Sequence, residues 1–344
     1  MKKLLLLLPF GLLLSACSND FDVTAPWKDI PVVYAILSPQ DSAHYVRIEK
    51  AFVDPDKSAL VIARIADSLY YPENAITVWL VPTDNPSNRL RLERVDGALE
   101  GYPRDSGVFA TQPNWLYKAK PTAGFTLDGG KTYRLLIERN DNNGPDVTAE
   151  TTLPNDFLVL EPDLSPQVPK VIFASNLGTD VRWRTDVNGV YFNVTFRIRY
   201  YDRFLNGTVA ATHELVWEAA KNVERNDVFS GGFYTGKVVI PRASFYSFLA
   251  QNIQKPPSNI YREFKNCDII LDGGGREIKE YLQIAAANAD ITGAETFPNY
   301  TNISEGYGIF TAKNRTLAED LRIDVKTVDS MNVNTVTDTL GFRY

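Results

Sequence analysis

The sequence predicts a mostly β protein of two β-rich domains with few helices, on three observations. Hydrophobic residues recur at every second position along most of the chain, the runs that do so are short, and Pro, Gly, Asn or Asp bounds them. A period of two sends alternate side chains to opposite faces of a sheet, and short strands with frequent turns imply sandwiches.

The N-terminus is a separate element. Met1-Lys2-Lys3 carries two positive side chains, and Leu4 to Leu14 carries none. This is the layout of a secretory signal, and eleven residues broken by Pro9 and Gly11 fall short of the roughly 20 needed to span a bilayer. Leu14-Ser15-Ala16-Cys17 matches the bacterial lipobox, so residues 1–16 read as a lipoprotein signal peptide, Cys17 as the lipid-attachment residue and 17–27 as the tether. The alternative is a cysteine that happens to follow an ordinary signal. The resemblance to lipoproteins implies three acyl chains on Cys17, and at about 0.8 kcal/mol per buried methylene more than one chain gives lasting attachment. Ser18, where an aspartate would retain the protein at the inner membrane, points to the outer one. Asp20 and Asp22 resemble the surface-export signal of Bacteroidetes lipoproteins and imply a chain facing the exterior.

Residues 28–155 form the first expected domain. Alternating runs start at Ala75 (AITVWLV), Arg89 (RLRLERV) and Thr132 (TYRLLIE). Residues 127–154 read as turn, strand, polar tip, strand and terminating proline, which is the last hairpin of an immunoglobulin-like β-sandwich. Tyr133 stands where such domains keep a tyrosine that pins the preceding loop. Pro162, Pro166 and Pro169 mark 156–172 as a connection.

The second β-rich domain is expected over 173–344. Strands are predicted near Val181–Trp183, Val190–Tyr201 and His213–Trp217. In YFNVTFRIRYYD, Phe192, Val194, Phe196, Ile198 and Tyr200 share one face and Asn193, Thr195, Arg197 and Arg199 the other. PRASFYSFLAQNI, 241–253, is the best helix, with Pro241 at its start and Phe245, Phe248, Leu249 and Ile253 on one side. CDIILDGGGREIKEYLQIAAAN, 267–288, reads as two strands around a glycine turn, although Ile278, Tyr281, Leu282 and Ala285 also fit a helix.

Without its first sixteen residues the chain has 328, with 34 basic and 42 acidic side chains, a balance that offers nothing to nucleic acid. Only Cys267 remains beside Cys17, so no internal disulfide forms, and its apolar setting reads as a buried small hydrophobe. The two histidines, His44 and His213, sit in strand-like runs outside any HExxH or nucleophile-elbow pattern. DPDKS (54–58) lacks the glycine and distal glutamate of a calcium loop, and NDNNGPD (140–146) reads as a polar hairpin tip. Gly273–Gly275 lack the lysine of a phosphate loop. Tryptophans 27, 79, 115, 183 and 217 are dispersed as core residues are. No catalytic, metal or cofactor residue is therefore assigned, and no cofactor is expected. Inventory alone leaves open a two-carboxylate glycosidase.

Two stretches carry a resemblance to a known family. Tyr34, Leu37, Asp41, Tyr45 and Lys50-Ala51-Phe52 form one, with Asp67-Ser68-Leu69-Tyr70-Tyr71 after it; Thr301-Asn302-Ile303 through Gly308-Ile309-Phe310 forms the other. In these the chain resembles the uncharacterised Bacteroidetes outer-membrane lipoproteins of a domain-of-unknown-function family. The resemblance implies a membrane-anchored surface lipoprotein encoded near TonB-dependent receptors and contributes no catalytic residue. The leading expectation is a binding accessory to such a receptor or to a nutrient-capture system, with a glycan or peptide as ligand. A structural or adhesion protein of the envelope is the alternative, and a carboxylate-based glycosidase the third.

Overall fold

The computed structural model describes residues 30–51, 58–141, 144–289 and 300–344. Cys17, the signal peptide, the tether and most of the DPDKS loop lie outside the described residues. The first unit runs through β1 (Ile30–Leu37), β2 (His44–Ala51), the single-turn helices α1 (Ala59–Ile62) and α2 (Ala66–Leu69), β3 (Ile76–Pro82), β4 (Leu90–Arg91), β5 (Glu93–Asp96), β6 (Trp115–Ala119), β7 (Thr132–Arg139) and β8 (Val147–Thr152).

Its strands form two layers, β1-β2-β6-β5 and β4-β3-β7-β8. Lettered in chain order with β4 as C′, these are A-B-E-D and C′-C-F-G, the immunoglobulin arrangement. Val33, Val46 and Ile48 from one layer meet Val78, Leu80, Leu135 and Ile137 from the other. Tyr133, on the strand equivalent to F, is buried; its hydroxyl donates to the Thr126 carbonyl (3.0 Å) and accepts the Asp128 N–H (2.8 Å). That is the corner expected from the sequence.

One predicted strand divides. In RLRLERV, Leu90 pairs with Leu80 in one layer and Arg94 with Tyr117 in the other. Leu92 makes the crossing: it is buried, and its N–H goes to the Val78 carbonyl (2.9 Å).

The second unit contains β9 (Leu158–Glu161), β10 (Lys170–Val171), β11 (Thr179–Thr185), β12 (Tyr191–Phe204), β13 (Val209–Glu224), β14 (Tyr234–Ile240), α3 (Arg242–Asn252), β15 (Ile260–Gly274), α4 (Arg276–Ala289), β16 (Tyr307–Ile323) and α5 (Val325–Asn332). The layer β14-β11-β9 contributes Val159, Val181 and Trp183 to a core shared with Phe192, Phe196, Ile269 and Leu321 of the larger sheet. In β12 the expected face, Phe192 through Tyr200, is buried. Helix α3 lies where its spacing predicts, with Phe245, Leu249 and Ile253 in the core.

Three expectations change. First, residues 156–172 are more than a connection: β9 is an edge of the smaller layer, β10 pairs with the end of β16, and Phe157 enters the second core. Second, the region after the glycines is helix α4 rather than a strand; the helical spacing of Ile278, Tyr281 and Leu282 prevails over the hairpin reading. The glycines end a strand instead of turning a hairpin, and a Cβ on Gly273 would stand 2.5 Å from both Phe157 and Phe192. Third, 173–344 does not close as a separate domain. β16 pairs in parallel with β1 from Tyr307 to Ala312 and antiparallel with β15 from Lys313 onward. One sheet therefore runs β13-β12-β15-β16-β1-β2-β6-β5 through both units, and Ile303, Phe310 and Ala312 belong to the first core.

The segment before β16 closes the sandwich. Ser304 donates its N–H to the Thr148 carbonyl (2.8 Å) and accepts the Thr148 N–H on Oγ (2.7 Å), covering the outer edge of β8. A few residues later the same segment covers the edge of β1. Uncovered strand edges pair with other chains, so both protections matter. The TNISEGYGIF motif thus has a packing role.

Candidate functional site

The outward face of β1 and β2 carries the side chains that alternation sends away from the core: Tyr34 and Ile36 on the first strand, Tyr45, Arg47 and Glu49 on the second. With residues 40–43, Tyr102 and Leu116, all of these but Glu49 line an open groove of about 650 Å³. Tyr34 and Ile36 are 41% and 46% exposed, unusual for two large apolar-bodied side chains side by side on one face.

A folded-back loop makes the groove wall. Between β5 and β6 the chain returns over the outer face, held by Asn114, which is fully buried. Asn114 donates from Nδ2 to the Tyr102 carbonyl (2.7 Å), accepts from Arg47 on Oδ1 (2.9 Å), and its carbonyl accepts the Gly97 N–H (2.7 Å). Such a buried amide persists because its polar groups are satisfied. Tyr102 consequently rests against Tyr45, ring centroids 4.8 Å apart and tilted by 55°.

Charges fix the remainder. Glu49 receives Arg47 (3.1 Å) and Arg104 (2.7 Å), and Arg104 also donates to the Tyr70 hydroxyl (3.2 Å). Glu100 accepts from Lys118 and from the Tyr45 hydroxyl (2.9 Å). The hydrogen bond from Lys118, then that from Tyr45, hold the Glu100 carboxyl below its ordinary value. Burial and the bond to Glu100 push the Tyr45 phenol up. Tyr34 is pushed up too, by burial of its hydroxyl and by neighbouring Tyr281 and Glu49. A carboxyl pushed down beside a phenol pushed up is poorly matched to proton transfer near neutral pH. Fixed aromatic faces beside fixed charges suit recognition.

His44 borders the groove, and the remaining residues singled out in the sequence lie elsewhere. The His44 side chain faces inward, 3% exposed, with neither ring nitrogen hydrogen-bonded; burial lowers its pKa and keeps the ring neutral. His213 stacks on Tyr200 (4.8 Å) and bonds Asp202 (2.9 Å), whose other oxygen accepts from Arg262 (3.0 Å), a brace between strands. The Cys267 thiol is fully buried and its pKa is raised by burial. Trp183 and Trp217 are in the core, while Trp79 and Trp115 lie under Arg89 (4.0 Å) and Arg94 (4.4 Å). Asp268, 1% exposed, is held by Arg197 (2.9 Å), Arg199 (3.0 Å) and the Asp320 N–H (3.0 Å). Among the described residues no group of three or more His, Cys, Asp or Glu is placed to hold a metal ion, and no helix is long and apolar enough to cross a membrane.

Tyr45 was singled out in the sequence. Arg47, Glu49, Tyr102, Arg104 and Asn114 were not. Asn114, in TQPNWLYKA, sits among turn-forming residues and reads as loop; only its burial exposes its role.

No protein-family model matches this chain, and no curated protein matches it. Among solved structures, the FN1–FN3 domains of chicken CNTN1 overlay on it with a TM-score of 0.24 and 13% identity, over 87% of this chain and 67% of that one. So low a score carries no argument; the immunoglobulin-like assignment rests on strand order and Tyr133.

Proposed function

We propose that this chain is a lipoprotein of the bacterial outer membrane, anchored through Cys17 and facing outward, that serves as a binding accessory to a TonB-dependent receptor or nutrient-capture system. The observation that carries this reading is the groove of Tyr34, Tyr45, Tyr102 and Arg47, preassembled by Asn114 and the Glu49 ion pairs. Preorganised aromatic and charged groups bind without the entropy cost of ordering them. A glycan or a peptide strand of the receptor is the ligand class such a surface suits, through ring stacking and bidentate Arg contacts. The family resemblance in the Tyr34–Phe52 stretch points the same way, since two of the groove tyrosines belong to it.

Orientation is consistent with this role. Ile30, the described residue nearest Cys17 in sequence, begins β1, and the groove lies toward the other end of that strand. Seven residues at about 3.3 Å each separate the two ends by about 23 Å.

The test is extraction from the native host in mild detergent. Co-purification with a large β-barrel receptor is expected, and should be lost in Tyr45→Ala/Tyr102→Ala. Recovery alone, under conditions that keep known receptor complexes together, overturns the proposal. Mass spectrometry of the same material should find acyl chains on Cys17.

One observation favours a second reading, a structural or adhesion lipoprotein. The sheet that continues through both units makes a stiff spacer. On that reading, deletion alters adhesion or envelope integrity while uptake continues.

A further inference from the structure

The long sheet splits at one place. β15 and β16 pair until Cys267 meets Leu321; beyond it β15 continues along β12 to Ile260, whereas β16 turns to β10 through Arg322 and Ile323. A groove of about 450 Å³ occupies the split. Ile323 and Val328, each 4% exposed, line it, together with Phe264, whose ring stacks on Phe342 at 4.2 Å.

Its lining carries three cations and two acidic side chains in a chain of net charge −6. Lys265, Arg322 and Arg343 line the groove, and none has an ion-pair partner among the described residues. Lys265 and Arg343 only overlie Tyr201 (5.8 Å) and Tyr261 (5.6 Å). Of the two acidic side chains, Glu263 pairs with Arg203, and Asp320 accepts from the Asn266 amide (2.5 Å) without an ion-pair partner among the described residues. With Glu263 paired to Arg203, the three unpaired cations outweigh Asp320, and this excess around an apolar lining favours a ligand that is both anionic and apolar.

Main-chain polarity adds a second requirement. Arg262 sends its N–H to Gly341 and receives the Arg343 N–H, both 2.8 Å, on the side away from β12. Alternation directs the N–H and C=O of Phe264 the same way, into the split, where β16 has already departed. A peptide carries both a donor and an acceptor for such groups, whereas a simple anion offers only acceptors.

We propose that this split is a docking site for a short acidic peptide segment of a partner protein, one apolar side chain entering over Phe264 and Ile323 and flanking carboxylates meeting Lys265, Arg322 and Arg343. The site is separate from the Tyr45 groove, so neither stands or falls with the other.

The probe is a fluorescein-labelled peptide of alternating glutamate and leucine, with glutamine-for-glutamate and lysine-for-glutamate controls, titrated against the full chain in mild neutral detergent. Saturable binding is expected for the acidic peptide alone, weakened at least tenfold in Lys265→Glu/Arg322→Glu/Arg343→Glu and at high salt, and unchanged in Tyr45→Ala/Tyr102→Ala. All three substituted residues are exposed, so the variant keeps its fold, checked by circular dichroism. Equal binding of the glutamine peptide, or no effect of the charge reversal, overturns the proposal. So does charge-dependent binding to phosphatidylglycerol vesicles without binding of the peptide, which assigns the cations to a lipid surface instead.

Discussion

Asn302 holds Phe310 by both of its main-chain groups: Nδ2 donates to the Phe310 carbonyl at 2.7 Å, and Oδ1 accepts the Phe310 N–H at 2.9 Å. The same Nδ2 reaches the Glu150 carbonyl at 3.2 Å, so one amide ties β16 to β8. Phe310 is fully buried. Asn302→Ala leaves its main-chain groups unpaired and is expected to cost about 2–4 kcal/mol. A lowered urea midpoint checks this, and Asn302→Asp, which keeps the acceptor but turns an oxygen toward the Phe310 and Glu150 carbonyls, should not restore it.

Gly308 is required by the parallel pairing of β1 and β16. Its φ is +109°, and a Cβ there would stand 1.9 Å from the Val33 carbonyl oxygen. Gly308→Ala should destabilise by roughly 2–4 kcal/mol through backbone strain and overpacking. Thermal unfolding measures the loss, which should be far greater than for alanine at Gly107, where the added methyl meets nothing within 4 Å.

Tyr133→Phe removes the hydroxyl that serves Thr126 and Asp128. The expected cost is about 1–3 kcal/mol, because the Asp128 N–H loses its acceptor in a partly buried corner. Hydrogen exchange at the Asp128 amide should accelerate relative to the amides of β7.

His44 makes stability depend on pH in a defined window. Its folded-state pKa lies below the ordinary 6.5, chiefly through burial, with Asp41 opposing. The unfolded chain therefore binds the proton first, and stability is full above pH 6.5 and declines as pH falls toward the folded-state value. Urea midpoints between pH 7.5 and 5 should show this slope, and His44→Leu should flatten it.

Cys267 should be inert in the native protein, since burial raises its thiol pKa and closes access. Titration with Ellman's reagent is expected to find no reactive Cys267 thiol before unfolding and one in 6 M guanidinium. Fast native labelling would contradict its packing against the second core.

The β character, the run Phe192 to Tyr200, the hairpin of β7 and β8, the corner at Tyr133 and helix α3 were all legible in the sequence, because each follows from a local period or a turn residue. Helix α4 was misjudged where two periods overlapped behind three glycines. The split of RLRLERV and the strands within 156–172 were missed because a residue's alternation does not say which sheet it joins. For the groove, Tyr45 was visible, but its partners were not: Asn114 and Tyr102 reach it through a loop whose course no periodicity records.

The sequence by itself determined the excess of strands and the faces those strands bury, since these depend on neighbours within a few positions. Only the tertiary structure decided that β16 belongs to two cores, that Gly308 lies against Val33 and that three cations gather where the sheet divides. Those facts depend on pairing between residues hundreds of positions apart, whose register is set by backbone hydrogen bonds and the close packing of a shared core.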